Sequence, residues 1–214
     1  MSRFIDDLRS VKERDPACRS CLEAFLLYSG FHAVLNYRFS HYLYRHKLFF
    51  LARCISQWSR FWTGIEIHPG ADIGRGLFID HGAGVVIGET AELGDYCTLY
   101  QGVTLGGTGK DIGKRHPTLG HNVLVGAGAK VLGPVVIGSR AKIAAGAVVL
   151  CDVPEGATAV GVPARIARIC GAKIDEREIA DLDHAKITDP VSQEFCRLAG
   201  QIEQLQKRID KLEK

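Results

Sequence analysis

Leu119-Gly-His-Asn-Val-Leu-Val125-Gly-Ala-Gly-Ala-Lys-Val131-Leu-Gly-Pro-Val-Val-Ile137-Gly-Ser-Arg-Ala-Lys-Ile143-Ala-Ala-Gly-Ala-Val-Val149 places an aliphatic residue at every sixth position without a break. Neither the 3.6-residue period of an α-helix nor the two-residue alternation of an ordinary strand gives that spacing. A six-residue period belongs to a parallel β-helix, in which each short strand is one side of a coil and stacked coils bring the aliphatics into one column. Four places after most of these residues comes a smaller or β-branched one, Val123, Ala129, Val135, Ala141 and Ala147, a second inward slot on each side.

The same period runs upstream. Ile87, Leu93, Leu99 and Leu105 are six apart, as are Ile67, Ile73 and Ile79, with a two-residue slip between the two groups. Their second slots fall on Ala71, Ala83, Ala91, Cys97 and Val103. Gly74, Gly88, Gly94, Gly106, Gly120, Gly126 and Gly138 each follow an aliphatic position, where the absence of a side chain lets the backbone turn a crowded corner. Between Leu105 and Leu119 the period is replaced by a polar, glycine-rich stretch, so residues 106–118 are expected to leave the column as a protruding loop that carries function. That loop lacks the glycine spacing and the Ser or Thr of a phosphate-binding P-loop.

Outside the repeats the pattern changes twice. Residues 16–63 read as helical, with Asp15-Pro16 as a start and Gly30 as a separator between helices. Their aromatic residues, among them Phe31, Tyr37, Trp58 and Trp62, are expected to pack on a protein surface rather than on a membrane. Near the C-terminus, Phe195, Leu198, Ile202, Leu205, Ile209 and Leu212 alternate spacings of three and four, a heptad pattern that predicts self-association or docking on the same subunit. The expected organisation is a helical segment over 1–64, a β-helix over 65–169 and a tail with an amphipathic helix over 170–214. The fold class is mainly β, a parallel β-helix flanked by an N-terminal α-helical segment and a C-terminal heptad-patterned helix.

Composition excludes several classes. With 46% apolar residues in 214, the chain can bury a core. The net charge of +3 is far from the clustered basic face of a nucleic-acid binder, and no window is apolar enough to span a membrane. The first residues lack a secretory signal, and seven scattered cysteines suit reduced thiols, so a cytoplasmic protein without disulfides is expected. Cys18-Arg-Ser-Cys21 has no second pair to complete a zinc site and reads as two packing thiols.

In a repeat whose slots favour small or aliphatic residues, the charged and imidazole groups Glu66, His68, Asp80, His81, Arg115, His116 and His121 stand out, and together they bracket the slip after His81 and the loop that ends at His116. The motifs Glu66-Ile-His-Pro, Ile79-Asp-His, Gly88-Glu-Thr-Ala, Gln101-Gly-Val-Thr-Leu-Gly-Gly-Thr-Gly-Lys, Lys114-Arg-His-Pro and Gly161-Val-Pro-Ala-Arg resemble serine O-acetyltransferases of the hexapeptide-repeat family. The resemblance runs from Asp15 to Arg165 and implies a three-sided, left-handed coil. It also implies a homotrimer or a dimer of trimers that moves an acetyl group from acetyl-CoA, as co-substrate, to L-serine in cysteine biosynthesis, with no bound cofactor or metal.

Direct transfer requires a base for the serine hydroxyl, and a neutral imidazole suits this near pH 7; His81 is the candidate. The resemblance implies an aspartate partner for that ring at the position of Glu66, whose extra methylene must fold back or shift the ring. It further implies that Arg115 holds the serine carboxylate, that Asp80 and Asp15 hold the ammonium, and that His116 contacts the reacting oxygen. For acetyl-CoA it implies Gly107, Thr108, Ala127 and Ala145, and the basic side chains of Lys142 and Arg165 are the expected partners of its phosphates. L-Cysteine, which differs from serine by sulfur for oxygen, is expected to compete in the same clamp. Family members bind cysteine synthase through a tail ending in isoleucine; this chain ends Lys211-Leu-Glu-Lys214, which argues against that complex. The alternatives are acetylation of a sugar or xenobiotic hydroxyl, a non-enzymatic scaffold, and a trimeric carbonic anhydrase with zinc on His81, His116 and His121.

Overall fold

A computed structural model of the chain describes residues 3–109, 112–169 and 172–173. The heptad-patterned segment expected from Phe195 to Leu212 lies outside the described residues. Residues Met1–Asp175 form one compact unit, so the change of pattern at residue 64 is a change of architecture within a single body.

That body is a left-handed parallel β-helix of about five coils with helices packed on its first coil. Its first sheet contains β1 (Glu66–Ile67), β4 (Val86–Ile87), β7 (Thr104–Gly106), β10 (Lys130–Leu132) and β13 (Val148–Val149), all parallel. The second contains β2 (Asp72–Ile73), β5 (Glu92–Leu93), β8 (Thr118–Leu119) and β11 (Val136–Ile137). The third contains β3 (Phe78–Asp80), β6 (Thr98–Tyr100), β9 (Leu124–Val125) and β12 (Lys142–Ile143), extended by β14 (Ala157–Val160), β15 (Arg165–Ile169) and β16 (Ala172–Lys173). β15 runs antiparallel to β14, which ends the stacking of parallel coils.

The aliphatic column is the core. From Ile67 to Val149 every residue of the six-residue series is buried, and Ile87, Leu99, Leu105, Ile137 and Ile143 are fully enclosed. The second slots are buried as expected except at Ala83, which is exposed. The slip adds two residues to that turn and carries Val85 inward instead, so Val85 continues the column between Leu77 and Ala91. The interior glycines work by close approach: a Cβ on Gly74 would lie 2.7 Å from the carbonyl carbon of Gly94, and one on Gly94 would lie 2.7 Å from that of Gly120. None of the three has a positive φ, so coil-to-coil contact, not conformational freedom, keeps that edge free of side chains.

A first coil has no predecessor to satisfy its outward carbonyls, and an open end of this kind needs a cap. The four helices, α1 (Arg3–Arg14), α2 (Cys21–Leu27), α3 (Ser29–Arg45) and α4 (Phe49–Thr63), supply it. The Tyr37 hydroxyl donates to Ala71 O at 2.7 Å, Arg38 to the carbonyls of Ile73 and Gly74, Ser56 Oγ to Ile67 O at 2.7 Å and Ser10 Oγ to Gly76 O at 3.0 Å. Asp7 accepts from Gly76 N at 2.7 Å and pairs with Arg38 at 3.2 Å.

Two readings of the helical segment are corrected. Asp15-Pro16 does not start a helix: α1 has just ended, and the next helix begins at Cys21 behind Ser20, whose Oγ accepts from Glu23 N at 3.1 Å. Gly30 does not separate helices but lies in the first turn of α3, where a Cβ would come within 2.1 Å of Ile79 O. Glycine there lets α3 press directly on β3. Cys18 and Cys21 are free thiols, Cys18 buried. Among the described residues, no helix is long and apolar enough to cross a membrane.

Candidate active site

The implied site residues divide between two edges of the prism. Where the third sheet turns into the first lie Asp80 and His81, with Ala127 and Ala145 on the later coils of the same edge. Where the first sheet turns into the second lie Gly107, Thr108, Arg115 and His116, all on the loop between β7 and β8. At roughly five residues of 3.3 Å each, the first sheet holds these two groups about 16 Å apart within one chain.

On the third-to-first edge His81 is 76% exposed and adopts φ 57°, a left-handed conformation uncommon for a residue with a side chain. Its Nε2 lies 3.8 Å from Asp80 Oδ1. Asp15 reaches the same neighbourhood from the turn after α1. Its Oδ2 accepts from the Tyr28 hydroxyl at 2.5 Å and its Oδ1 from Ala17 N at 2.8 Å. These bonds, the Tyr28 one first, hold the Asp15 carboxyl below the usual carboxylate range, and His81 is close enough to add to the effect. Glu66 stands at the start of β1, where it pairs with Arg60 of α4 at 3.1 Å; no hydrogen bond joins it to His81.

The first-to-second edge is more elaborate. His116 is buried. Its Nδ1 accepts from Thr90 N at 3.2 Å and lies 2.9 Å from Thr90 Oγ1. In the neutral ring the proton is therefore on Nε2. Thr90 Oγ1 also accepts from the backbone N–H groups of Arg115 (3.0 Å) and His116 (3.2 Å), so one threonine fixes both the loop and the ring. Burial first, then the adjacent Arg115, pushes the His116 pKa down. Room for the ring depends on Gly88, whose Cβ would lie 2.0 Å from His116 Cδ2.

Arg115 Nη2 donates to Glu89 Oε2 at 2.5 Å, and the Tyr44 hydroxyl donates to Glu89 Oε1 at 3.3 Å. Burial raises the Glu89 pKa, but the Arg115 bond, the nearby His68 and the Tyr44 bond outweigh it, and the carboxyl stays below its usual value. His68, on the same edge one coil earlier, accepts Gly70 N–H on Nδ1 at 3.0 Å; burial and then Arg53 push its pKa down. Lys142 is exposed on β12, and Arg165 opens β15.

Tyr28, Tyr44, His68, Glu89 and Thr90 join the site without being among the residues that the sequence motifs assign a role. Glu89 and Thr90 sit inside the Gly88-Glu-Thr-Ala motif, and their place in that motif is the available signal. Tyr28 and Tyr44 gave none, because only the packing of the helices brings them to the site. His81, His116 and His121 lie on three different edges, since His121 follows β8 at the second-to-third turn and accepts Asp95 N–H at 2.9 Å. An interface that joins one edge of each of two chains therefore gathers at most two of the three.

Comparison with known proteins bears on the whole chain. Residues 1–35 match the model of the family described as serine acetyltransferase, N-terminal, and residues 116–151 match that of bacterial transferase hexapeptide (six repeats). A serine acetyltransferase of Bacillus licheniformis is 53% identical over 209 residues, which cover 98% of this chain and 95% of the relative. The crystal structure of Neisseria gonorrhoeae serine acetyltransferase in complex with serine is similar with a TM-score of 0.75 at 44% identity, covering 78% of this chain and 68% of that one. A serine acetyltransferase solved in complex with CoA gives a TM-score of 0.73 at 43% identity, covering 77% and 68%.

Proposed function

The chain belongs to the serine acetyltransferase family, and from that premise we propose that it transfers acetyl from acetyl-CoA to the hydroxyl of L-serine at sites formed between neighbouring subunits of a trimer. The observation that carries this reading is the division of the site residues. His81 and Asp80 occupy one edge of the prism, with Asp15 beside them in the turn after α1, and Arg115 and His116 another, where the imidazoles of His68 and His116 already have Nδ1 committed to backbone N–H groups, so the open base and the carboxylate clamp lie on different edges. A second copy that presents its Arg115 edge to the His81 edge of the first completes the set. Three-fold closure then gives three equivalent sites.

In that arrangement Arg115 grips the serine carboxylate through its forked donors, while Asp80 and Asp15 hold the ammonium. His81 takes the hydroxyl proton as the serine oxygen attacks the thioester carbonyl. The C–S bond then breaks, the imidazolium returns the proton to the departing thiolate, and the products are O-acetyl-L-serine and CoA. Neutral His116, with its proton on Nε2, donates to the reacting oxygen. Glu66 supports the His81 ring after exchanging its Arg60 partner for the imidazole, which its longer side chain permits. Acetyl-CoA lies in the groove between the two edges, against Gly107 and Thr108 of one subunit and Ala127 and Ala145 of the other, its phosphates near Lys142 and Arg165. L-Cysteine fits the same clamp and competes with serine.

The test is release of CoA from acetyl-CoA by the purified protein, with L-serine compared against other amino acids and sugars. Serine-dependent release that falls by a factor of about 10² to 10⁴ in His81→Ala is the expected result. Release with a sugar hydroxyl but not with serine would overturn the Arg115 and Asp80 assignments.

A further inference from the structure

From the contacts of its hydroxyl we infer that Tyr44, a residue of α3, is a positioning residue for the substrate carboxylate: it occupies one oxygen of Glu89 and so keeps Glu89 from gripping Arg115 with both. This inference rests on the reading of Arg115 as the serine clamp.

The geometry is specific. Glu89 uses Oε2 for Arg115 and Oε1 for Tyr44, and the two oxygens are thereby committed to different partners. An arginine beside an unrestrained carboxylate prefers two parallel N–H···O bonds. Such a fork would consume the same donors that a substrate carboxylate needs. With Oε1 held by a phenol, Arg115 is oriented by one bond and keeps its remaining donors for the ligand.

The placement of Tyr44 fits this role. Its ring lies edge-on to Phe49 at 4.9 Å and to His68 at 5.9 Å between centroids, which fixes the direction of the hydroxyl. Space is reserved for it at Gly70, where a Cβ would come 3.1 Å from the Tyr44 hydroxyl and 3.1 Å from His68 Nδ1. Gly70 does not have a positive φ, so its backbone does not demand glycine; a side chain there would instead press on Tyr44 and His68. Arg115 and Glu89 sit on the β-helix, whereas Tyr44 comes from the cap, so the cap takes part in setting the state of the clamp.

The experiment compares Tyr44→Phe, Arg115→Lys and the double variant of the full chain by steady-state kinetics, by serine binding in the absence of acetyl-CoA, and by thermal unfolding. Tyr44→Phe keeps the ring and removes only the hydroxyl. The expected result is a KM for serine and a serine Kd raised about five-fold, with kcat, the KM for acetyl-CoA and the unfolding midpoint nearly unchanged. Because lysine cannot form the fork, the effect of Tyr44→Phe should vanish in the Arg115→Lys background. Equal rises in both KM values with a lowered midpoint would assign Tyr44 to packing and overturn the inference, as would an unchanged serine KM in Tyr44→Phe while Arg115→Lys raises it. An unchanged serine KM in Arg115→Lys would overturn the clamp itself, and the role of Tyr44 with it.

Discussion

Thr90 illustrates how much of the site's order rests on one small side chain. Its Oγ1 accepts two backbone N–H groups of the loop, and the residue addresses His116 Nδ1 through both its backbone and its side chain. Thr90→Val keeps the shape and removes the acceptor, leaving the N–H groups of Arg115 and His116 without it. We expect kcat/KM for serine to fall about ten-fold or more with little change in fold, read by kinetics and circular dichroism. The histidines also set a pH dependence. His68 and His116 both titrate below the ordinary value of 6.5, chiefly because burial disfavours their charged forms. On acidification the unfolded chain takes up protons first, so stability is full above about pH 6.5 and declines as pH falls toward the folded values. The carboxyls of Asp15, Glu89 and Asp95, all held low, act in the same direction at more acidic pH. Thermal midpoints measured from pH 8 to pH 5 should therefore fall on acidification; a rise would contradict the burial of the two rings.

At the scale of elements, the helices and the loop do different work. The cap formed by α1, α3 and α4 satisfies the carbonyls of the first coil, and it also carries Asp15, Tyr28 and Tyr44 to the two edges. The turn between β4 and β5 and the loop between β7 and β8 interlock, with Gly88 opposite His116. Gly88 has an ordinary φ, so Gly88→Ala is allowed by its own backbone and acts only by intruding on the imidazole. We expect this variant to fold and to lose most of its turnover while keeping the β-helix signal in circular dichroism. Unchanged kinetics would mean that the ring can move without consequence. The hexapeptide period made the strands legible because each inward slot repeats. It misplaced Ala83 because a two-residue slip changes which residue returns to the interior, and only the backbone shows that the extra residues are taken up in the turn around His81.

At the scale of the molecule, the division of the site between two edges leads to a test of assembly. If the chain assembles as the proposed trimer, His81→Ala and Arg115→Ala each remove one half of every site in a uniform assembly. In trimers mixed at random from the two variants, roughly one interface in four joins an intact His81 edge to an intact Arg115 edge. Co-expression of the two inactive chains should therefore restore a measurable part of the activity, whereas mixing purified trimers that do not exchange subunits should not. Failure of co-expressed chains to recover activity would place both halves of the site in one subunit. By itself, the sequence determined the β-helix, its register over most coils and the loop after β7, because a six-residue period and its interruption are properties of the chain alone, while the residues expected to act were named by motifs that resemble the family. Only the tertiary structure decided that α1 ends at Arg14 and that Asp15 lies in the turn after it. It alone showed that Glu66 pairs with Arg60, and that Tyr28, Tyr44, Glu89 and Thr90 hold the groups expected to act. The physical reason is that partners on stacked coils are sixteen to twenty-six residues apart, and the cap approaches them from a different part of the chain altogether, so no local pattern records who meets whom.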